Sequence, residues 1–232
     1  MTIRRNLASG FWFVRTSLTL DVRFWRRRDL PARMRLSFLG KKYALIVRHR
    51  IRPFSLGHDS VTVSGERIFY DSPFGIAGYQ RVLTTTQHLL DIAGIRSANV
   101  VVDVGANVGF FSLMAGKRFP GARIVAIEPV PQIFDCLAHN LGDRPNTVLL
   151  NVAVSDSAEA VQMSFSPMNS AVSKVTSSGE VSAEARTLDD VAQEYGLETV
   201  DLLKVDTETF EAHVLRGARR VLESTRDCPA FD

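Results

Sequence analysis

Apolar and polar positions change their rhythm near residue 99, and the second part of the chain is the easier to read. Val100-Val101-Val102 runs into Asp103-Val104 without a polar break, which predicts a strand buried on both faces, as in a parallel sheet. After Gly105 the chain restarts as a helix carrying Phe110, Phe111, Leu113 and Met114. Arg123 to Ile127 predicts a second strand. Behind Pro131, a suitable first-turn residue, Ile133, Phe134, Leu137, Ala138 and Leu141 recur at helical spacing. Residues 148–154 read as a third strand. Thr187 caps a short helix that ends before Gly196. Residues 202–205 form a further strand. The helix after it is expected to bury Phe210, Val214, Leu215, Ala218, Val221 and Leu222, with Arg216, Arg219 and Arg220 facing outward. Strand alternating with helix implies right-handed βαβ units, hence an α/β fold with a parallel sheet flanked by helices.

Before residue 99 the pattern is different. Ser60 to Tyr70 alternates on both sides of Ser64-Gly65, a β-hairpin signal. A helix from about Thr84 to Ala93 is expected, with Leu89, Ile92 and Ala93 on one side. The tract from Ser164 to Gly179, with Pro167 and Asn169, has no helical period and reads as a loop. Two regions follow from this: residues 1–98 as an N-terminal extension and residues 99–232 as the principal domain.

Composition narrows the class. With 232 residues, 45% of them hydrophobic, and a mean hydropathy of +0.02, the chain has material for a real core. Its two cysteines, Cys136 and Cys228, form no spaced pair, so neither a disulfide framework nor a zinc site is suggested. Cys136 sits in a helical pattern as a small core residue, and a reducing, cytoplasmic compartment is the expectation. The net charge of +3 hides an asymmetry. Residues 1–60 hold 14 Lys/Arg against 3 Asp/Glu, and the remainder holds 14 against 22. A basic arm on an acidic body points to an anionic partner for the arm. Within the arm, Phe11 to Arg28 mixes aromatic and aliphatic residues with Arg15, Arg23, Arg26, Arg27 and Arg28. Arg15 cuts the apolar run too early for a signal sequence, and no stretch reaches the roughly 18 uncharged residues of a membrane span. Such a segment either folds back on the domain with its arginines in solvent or lies on an anionic membrane surface, at its inner face. Nucleic acid is not expected, because no binding motif accompanies the charge.

The chemistry gathers at the strand ends. A dinucleotide loop needs Gly-x-Gly-x-x-Gly, and counting from Gly105 the later glycine positions hold Asn107 and Phe110. Asp103 beside the turn would repel a phosphate and welcome an ammonium. Glu128 ends the next strand, where a carboxylate takes both hydroxyls of a ribose. Asp103, then Gly105, Asn107 and Gly109, then Glu128 therefore suit S-adenosyl-L-methionine, which carries no phosphate, better than a nicotinamide dinucleotide. Ser155 and Asp156 follow the third strand and are either hydrogen-bond partners for the adenine or a plain turn. Asp206 and Glu208 lie just beyond the last strand, and either is the candidate base, with Lys204 pairing with a carboxylate. His213 is a weaker candidate, and no ligand set demands a metal.

These residues resemble the FkbM family of S-adenosylmethionine-dependent methyltransferases. The matching pieces are residues 103–109, Glu128-Pro129, Ala153-Val154-Ser155-Asp156, Thr187-Leu188-Asp189-Asp190, and Lys204 to Glu208 with Glu211. The resemblance covers about 120 residues and none of the first 60. It implies a Rossmann-like class I methyltransferase sheet, places Asp103, Gly105 and Glu128 at the cofactor, and implies O-methylation of a hydroxyl on a sugar, glycolipid or secondary metabolite. Two departures bear on it. Thr209 stands where the family usually has glycine, and the chain ends at Pro229-Ala230-Phe231-Asp232, where further strands are expected, so a sheet truncated at its C-terminus is anticipated. The alternative is an inactive methyl-donor-binding module.

Overall fold

A computed structural model describes residues 18–28, 30–51, 59–63, 65–70, 72, 75–164, 174–176 and 179–224. Residues 11–17 of the basic arm, Pro167, Asn169, Cys228 and the last four residues lie outside this set. The described chain opens with a helix over residues 18–25 (α1) and with α2 (Ala32–Ile51). The hairpin β1 (Ser60–Val63) and β2 (Glu66–Phe69) comes next. It leads into a helical stretch made of α3 (Gly75–Arg81), a π-helical turn (Val82–Thr86) and α4 (Gln87–Ile92). Then β3 (Val100–Val104), α5 (Phe110–Arg118), β4 (Arg123–Ile127), α6 (Pro131–Leu141) and β5 (Thr147–Leu150) alternate. The short strands are β6 (Ala153–Val154), β7 (Val161–Ser164), β8 (Lys174–Val175), β9 (Val181–Ala183) and β10 (Ala185–Arg186). Finally come α7 (Leu188–Glu194), β11 (Leu202–Val205), α8 (Glu211–Arg216) and α9 (Arg219–Ser224).

The central sheet is parallel in the order β11-β3-β4-β5. From β3 the chain winds outward through β4 to β5, then returns to place β11 on the other side of β3. Strand order therefore reverses between β3 and β11, and in open α/β sheets the crevice at such a switch point holds the ligand. Alternate strand residues go to opposite layers. Val102, Val104, Val125 and Ile127 face Leu188, Val191, Val214, Ala218 and Val221 of α7–α9. Val101 and Ile124 face Phe111, Met114 and Ala115 of α5.

One hydrophobic cluster then joins Leu113, Ile133 and Leu137 of this domain to Phe24, Phe38, Val63, Ile68, Tyr70 and Tyr79. The boundary expected at residue 98/99 is thus bridged by a continuous core, and the described part of the N-terminal extension folds back on the domain. Tyr79 packs edge-on against Phe110, with centroids 5.4 Å apart.

Four elements depart from the sequence reading. The helix expected from Thr84 begins at Gly75, and its buried residues include Leu83 and Leu90, whereas Leu89 and Ile92 are exposed. A π turn holds one more residue than an α turn, so it rotates the faces that follow. The third strand breaks at Asn151. β5 stays in the main sheet and β6 pairs with β10. Parts of the polar tract form β8 and, with its flanks, the small antiparallel sheet β8-β7-β9. The last helix divides into α8 and α9 at Gly217, leaving Leu215 and Leu222 exposed.

Candidate active site

Asp103 lies one residue before the end of β3 and is fully buried. Its Oδ2 accepts a hydrogen bond from Ser112 Oγ of α5 at 2.7 Å. Lys204 stands opposite it in register on β11, with Nζ 3.1 Å from Asp103 Oδ1. That approach is an ion pair without hydrogen-bond alignment, so Oδ1 has no hydrogen-bond partner. The same ammonium donates to the Gly105 carbonyl at 2.7 Å and lies 3.8 Å from Asp206 Oδ2. One lysine thereby ties together the ends of the two strands that flank the switch point.

The turn after β3 is shaped by contact as much as by conformation. Gly105 has φ +72°, and a Cβ there would stand 2.1 Å from the Asp206 carbonyl oxygen. Only glycine lets the two loops meet so closely. Asn107, at φ +52°, donates its N–H to Glu128 Oε2 at 2.9 Å and folds its Oδ1 onto the Val108 N–H. Gly109, at φ +84°, opens α5, and a Cβ there would strike the Leu137 and Leu141 methyls. Its missing side chain serves the packing of α5 on α6.

Glu128 follows β4 and is only 5% exposed. Its second oxygen accepts from the Val130 N–H at 3.0 Å, so backbone donors grip both oxygens. Burial pushes its pKa up to about 7, against the pull of these bonds and of the Lys204 charge. Asn151 fixes the same turn from the interruption between β5 and β6, its Nδ2 donating to the Glu128 carbonyl at 2.8 Å.

Ser155 is buried and its Oγ donates to Asp156 Oδ1 at 3.2 Å. The Asp156 carboxylate is turned onto α8, 2.8 Å from Arg216 Nε and 3.1 Å from His213 Nδ1. These two hold its pKa well below the ordinary carboxylate range, Arg216 most strongly. His213 also stacks flat on Phe210, with centroids 4.3 Å apart.

Asp206 and Glu208 project from the loop between β11 and α8, both exposed. Desolvation by the loop raises the Glu208 pKa, and the charges of Asp206 and Glu211 add to it, while Arg81 of α3 opposes. Burial disfavours the charged form of Glu211, but hydrogen bonds outweigh it and lower its pKa. Among them is the Thr207 N–H at 2.9 Å. Glu208 and Thr209 have φ of +49° and +79°, the region that disfavours a β-branched residue most.

Ser112, Arg81 and Asn151 act at this site without having been marked in the sequence. Ser112 carries the only early signal, a hydroxyl in the first turn of a helix that is otherwise apolar there. Asp189, in the Thr187-Leu188-Asp189-Asp190 stretch already singled out in the sequence, has a structural task. It caps α9, accepting from the N–H groups of Arg220 and Val221 at 3.1 and 3.0 Å. Among the described residues, no cluster of His, Cys, Asp and Glu could hold a metal. Cys136 is buried in the core.

The profile of the methyltransferase FkbM domain matches residues 103–226, more than half of the chain. The chain belongs to the FkbM methyltransferase family. The FkbM match starts at Asp103 and ends beyond α9, so it takes in the switch point and leaves out α1–α4 and the hairpin. Among curated relatives, a methyltransferase, sdnD, from Sordaria araneosa is 33% identical over 168 residues, covering 57% of this chain and 65% of its own. The 31-O-demethyl-FK506 methyltransferase FkbM of Streptomyces tacrolimicus is 28% identical over 173 residues, covering 60% and 66%. The 2-O-methyltransferase NoeI of Sinorhizobium fredii is 30% identical over 148 residues, covering 55% and 60%. The FkbM-family chain described here thus spans somewhat less than two thirds of the length of these relatives.

Proposed function

We propose that this chain transfers the methyl group of S-adenosyl-L-methionine to a hydroxyl oxygen of a sugar or secondary-metabolite acceptor. The observation that carries the reading is the pair of buried carboxylates, Asp103 and Glu128, at the ends of adjacent parallel strands beside the switch point. The residues fit such a donor. Asp103 presents a buried carboxylate whose Oδ1 is ion-paired with the Lys204 ammonium at 3.1 Å but has no aligned hydrogen bond, which leaves acceptor capacity for a second ammonium, and Glu128 presents a carboxylate suited to a ribose diol. Both acids, and a turn with Asn107 and Phe110 in place of glycines, disfavour a diphosphate. When bound, the donor supplies the electrophilic methyl group on a sulfonium.

The chain's own residues then have separable tasks. Asp103 and Glu128 orient the donor, and Lys204 holds Asp103 and the Gly105 turn in register. Gly105, Asn107 and Gly109 set the backbone of that turn. Asp206 and Glu208 stand at the mouth, where an acceptor hydroxyl must lose its proton. Glu208 is the base this reading favours, because desolvation and the neighbouring acids raise its pKa. Ser155 borders the adenine end, with Asp156 locking α8 beneath it. The relatives' names favour oxygen as the methylated atom, since two of the three specify O-methylation or its demethylated substrate.

Calorimetric titration of the donor and of NAD, with intact-mass screening of glycans and hydroxylated metabolites, tests the proposal. Donor binding that weakens about tenfold in Glu128→Ala, without NAD binding, is the expected result. Unchanged donor affinity in that variant refutes the assignment. Turnover lost in Glu208→Gln with donor binding retained separates an enzyme from an inactive binding module.

A further inference from the structure

The outward faces of α1 and α2 carry a second pattern that the methyl-transfer site does not use. On α1, Leu18, Val22 and Trp25 lie at i, i+4 and i+7. On α2, Leu36, Tyr43 and Val47 lie at i, i+7 and i+11. Each set forms one stripe along its helix. All six are between 44% and 60% exposed. Their opposite faces are already occupied, because Phe24 and Phe38 are buried together with centroids 4.7 Å apart, and Leu45 joins the same core. The outer stripes are therefore not a core missing its partner within this layer. They form a second apolar surface on helices whose first is satisfied.

The charge around this surface is predominantly positive. Residues 18–51 contain 10 Lys/Arg and 2 Asp/Glu. Of the acids, Asp21 is taken up inside the layer, paired with buried Lys42 at 2.6 Å and bonded to Gln80 at 2.8 Å. Arg23 on α1, Arg26 just past its end and Arg33 on α2 are exposed. Arg35 lies over the Trp25 ring, 5.0 Å from its centroid, and donates to the Trp25 carbonyl, tying the two stripes to each other. Aliphatic side chains, a tryptophan and a tyrosine set among arginines describe the face of a helix pair that rests in a bilayer interface.

We propose that the α1–α2 face docks on an anionic lipid surface, placing the enzyme at a membrane without crossing it. The apolar stripes enter the headgroup boundary and the arginines pair with lipid phosphates. A second copy of this chain is a poorer occupant, since apposed α1–α2 faces would bring two strongly basic surfaces together.

The test uses the full chain carrying Trp12→Phe, which leaves Trp25 as the sole tryptophan. It is titrated with vesicles of phosphatidylcholine alone and of phosphatidylcholine mixed with phosphatidylglycerol. The expected result is a blue shift of Trp25 emission, and quenching by brominated acyl chains, with the anionic vesicles only. Binding should weaken as salt rises. Leu36→Asp with Val47→Asp, at positions that touch the core little, should lower vesicle affinity at least about tenfold while circular dichroism is unchanged. Arg23→Gln with Arg26→Gln gives an independent loss of the anionic preference. Absence of a Trp25 response, equal binding to neutral vesicles, or lipid-independent dimerisation that shields Trp25 each overturns the proposal.

Discussion

Glu128 shows how one buried acid makes stability depend on pH and, in the proposed reading, ligand binding as well. Its pKa rises from 4.5 to about 7 on folding because burial penalises the charge more than two backbone N–H groups and Lys204 relieve it. The folded state therefore holds this proton more tightly than the unfolded chain. The stabilisation is complete below pH 4.5 and is lost as pH rises through 7, about 3 kcal/mol in all. Urea denaturation across this window should show wild-type stability falling relative to Glu128→Gln, whose pH slope is flatter. In the proposed reading, ribose hydroxyls that donate to Glu128 reverse the preference and favour the carboxylate. Donor titrations near neutrality should then release protons, seen as heats that vary with buffer ionisation enthalpy, and the release should vanish in the Gln variant. Thr209 stores energy differently. Its β-branched side chain sits at φ +79° in the loop that carries Asp206 and Glu208. Thr209→Gly should stabilise the chain by about 1 kcal/mol in denaturant unfolding, as strain relief exceeds the added entropy of the unfolded chain.

At the scale of elements, junctions decide where the site residues point. Gly217 has an ordinary φ, yet a Cβ there would stand 2.0 Å from the Ser155 carbonyl oxygen. The α8–α9 junction is pressed directly on the turn after β6. Gly217→Ala should cost about 3 kcal/mol and loosen the Asp156–Arg216 pair, whereas Gly121→Ala, with open space around it, should cost little. Thermal melts of the two variants check this. The parallel strands were legible because Val100–Val104 and Arg123–Ile127 are continuous apolar runs, which few other environments tolerate. The helix from Gly75 was not, since Gly75 and Gly78 weaken a helical pattern. A Cβ at Gly78 would make only ordinary contact, 3.4 Å from the Phe110 ring, so packing does not require glycine there. β8 and β9 are short and carry little apolar alternation, so nothing in their composition set them apart from a loop. In the site, the acids at strand ends were readable from spacing alone. The Lys204 bridge to the Gly105 carbonyl and the capture of Asp156 by Arg216 join residues 99 and 60 positions apart. Only the register of β3 with β11 and the packing of α8 bring them together.

Across the whole molecule, the basic N-terminal layer and the acidic methyltransferase domain are opposite in charge but share one interior. Phe24 and Phe38 belong to the same cluster as Leu113, Ile133 and Leu137. Lys42 is buried within that layer, where its ammonium bonds to Asp21 at 2.6 Å and to Gln80 of α3 at 2.8 Å. Burial lowers the Lys42 pKa while Asp21 holds the charged form in place. Such a pair contributes little relative to an apolar replacement, but breaking it leaves a buried charge uncompensated. Loss of the layer would also expose Leu113, Ile133 and Leu137 of the domain, so the layer should not melt ahead of the sheet. In the Trp12→Phe chain, Trp25 emission follows α1 and far-ultraviolet circular dichroism follows the whole fold. The two denaturation curves should coincide, and Lys42→Ala should move both midpoints together, by about 3 kcal/mol. A Trp25 transition at lower denaturant, with the dichroism retained, would instead make residues 18–98 a separate folding unit resting on the methyltransferase domain.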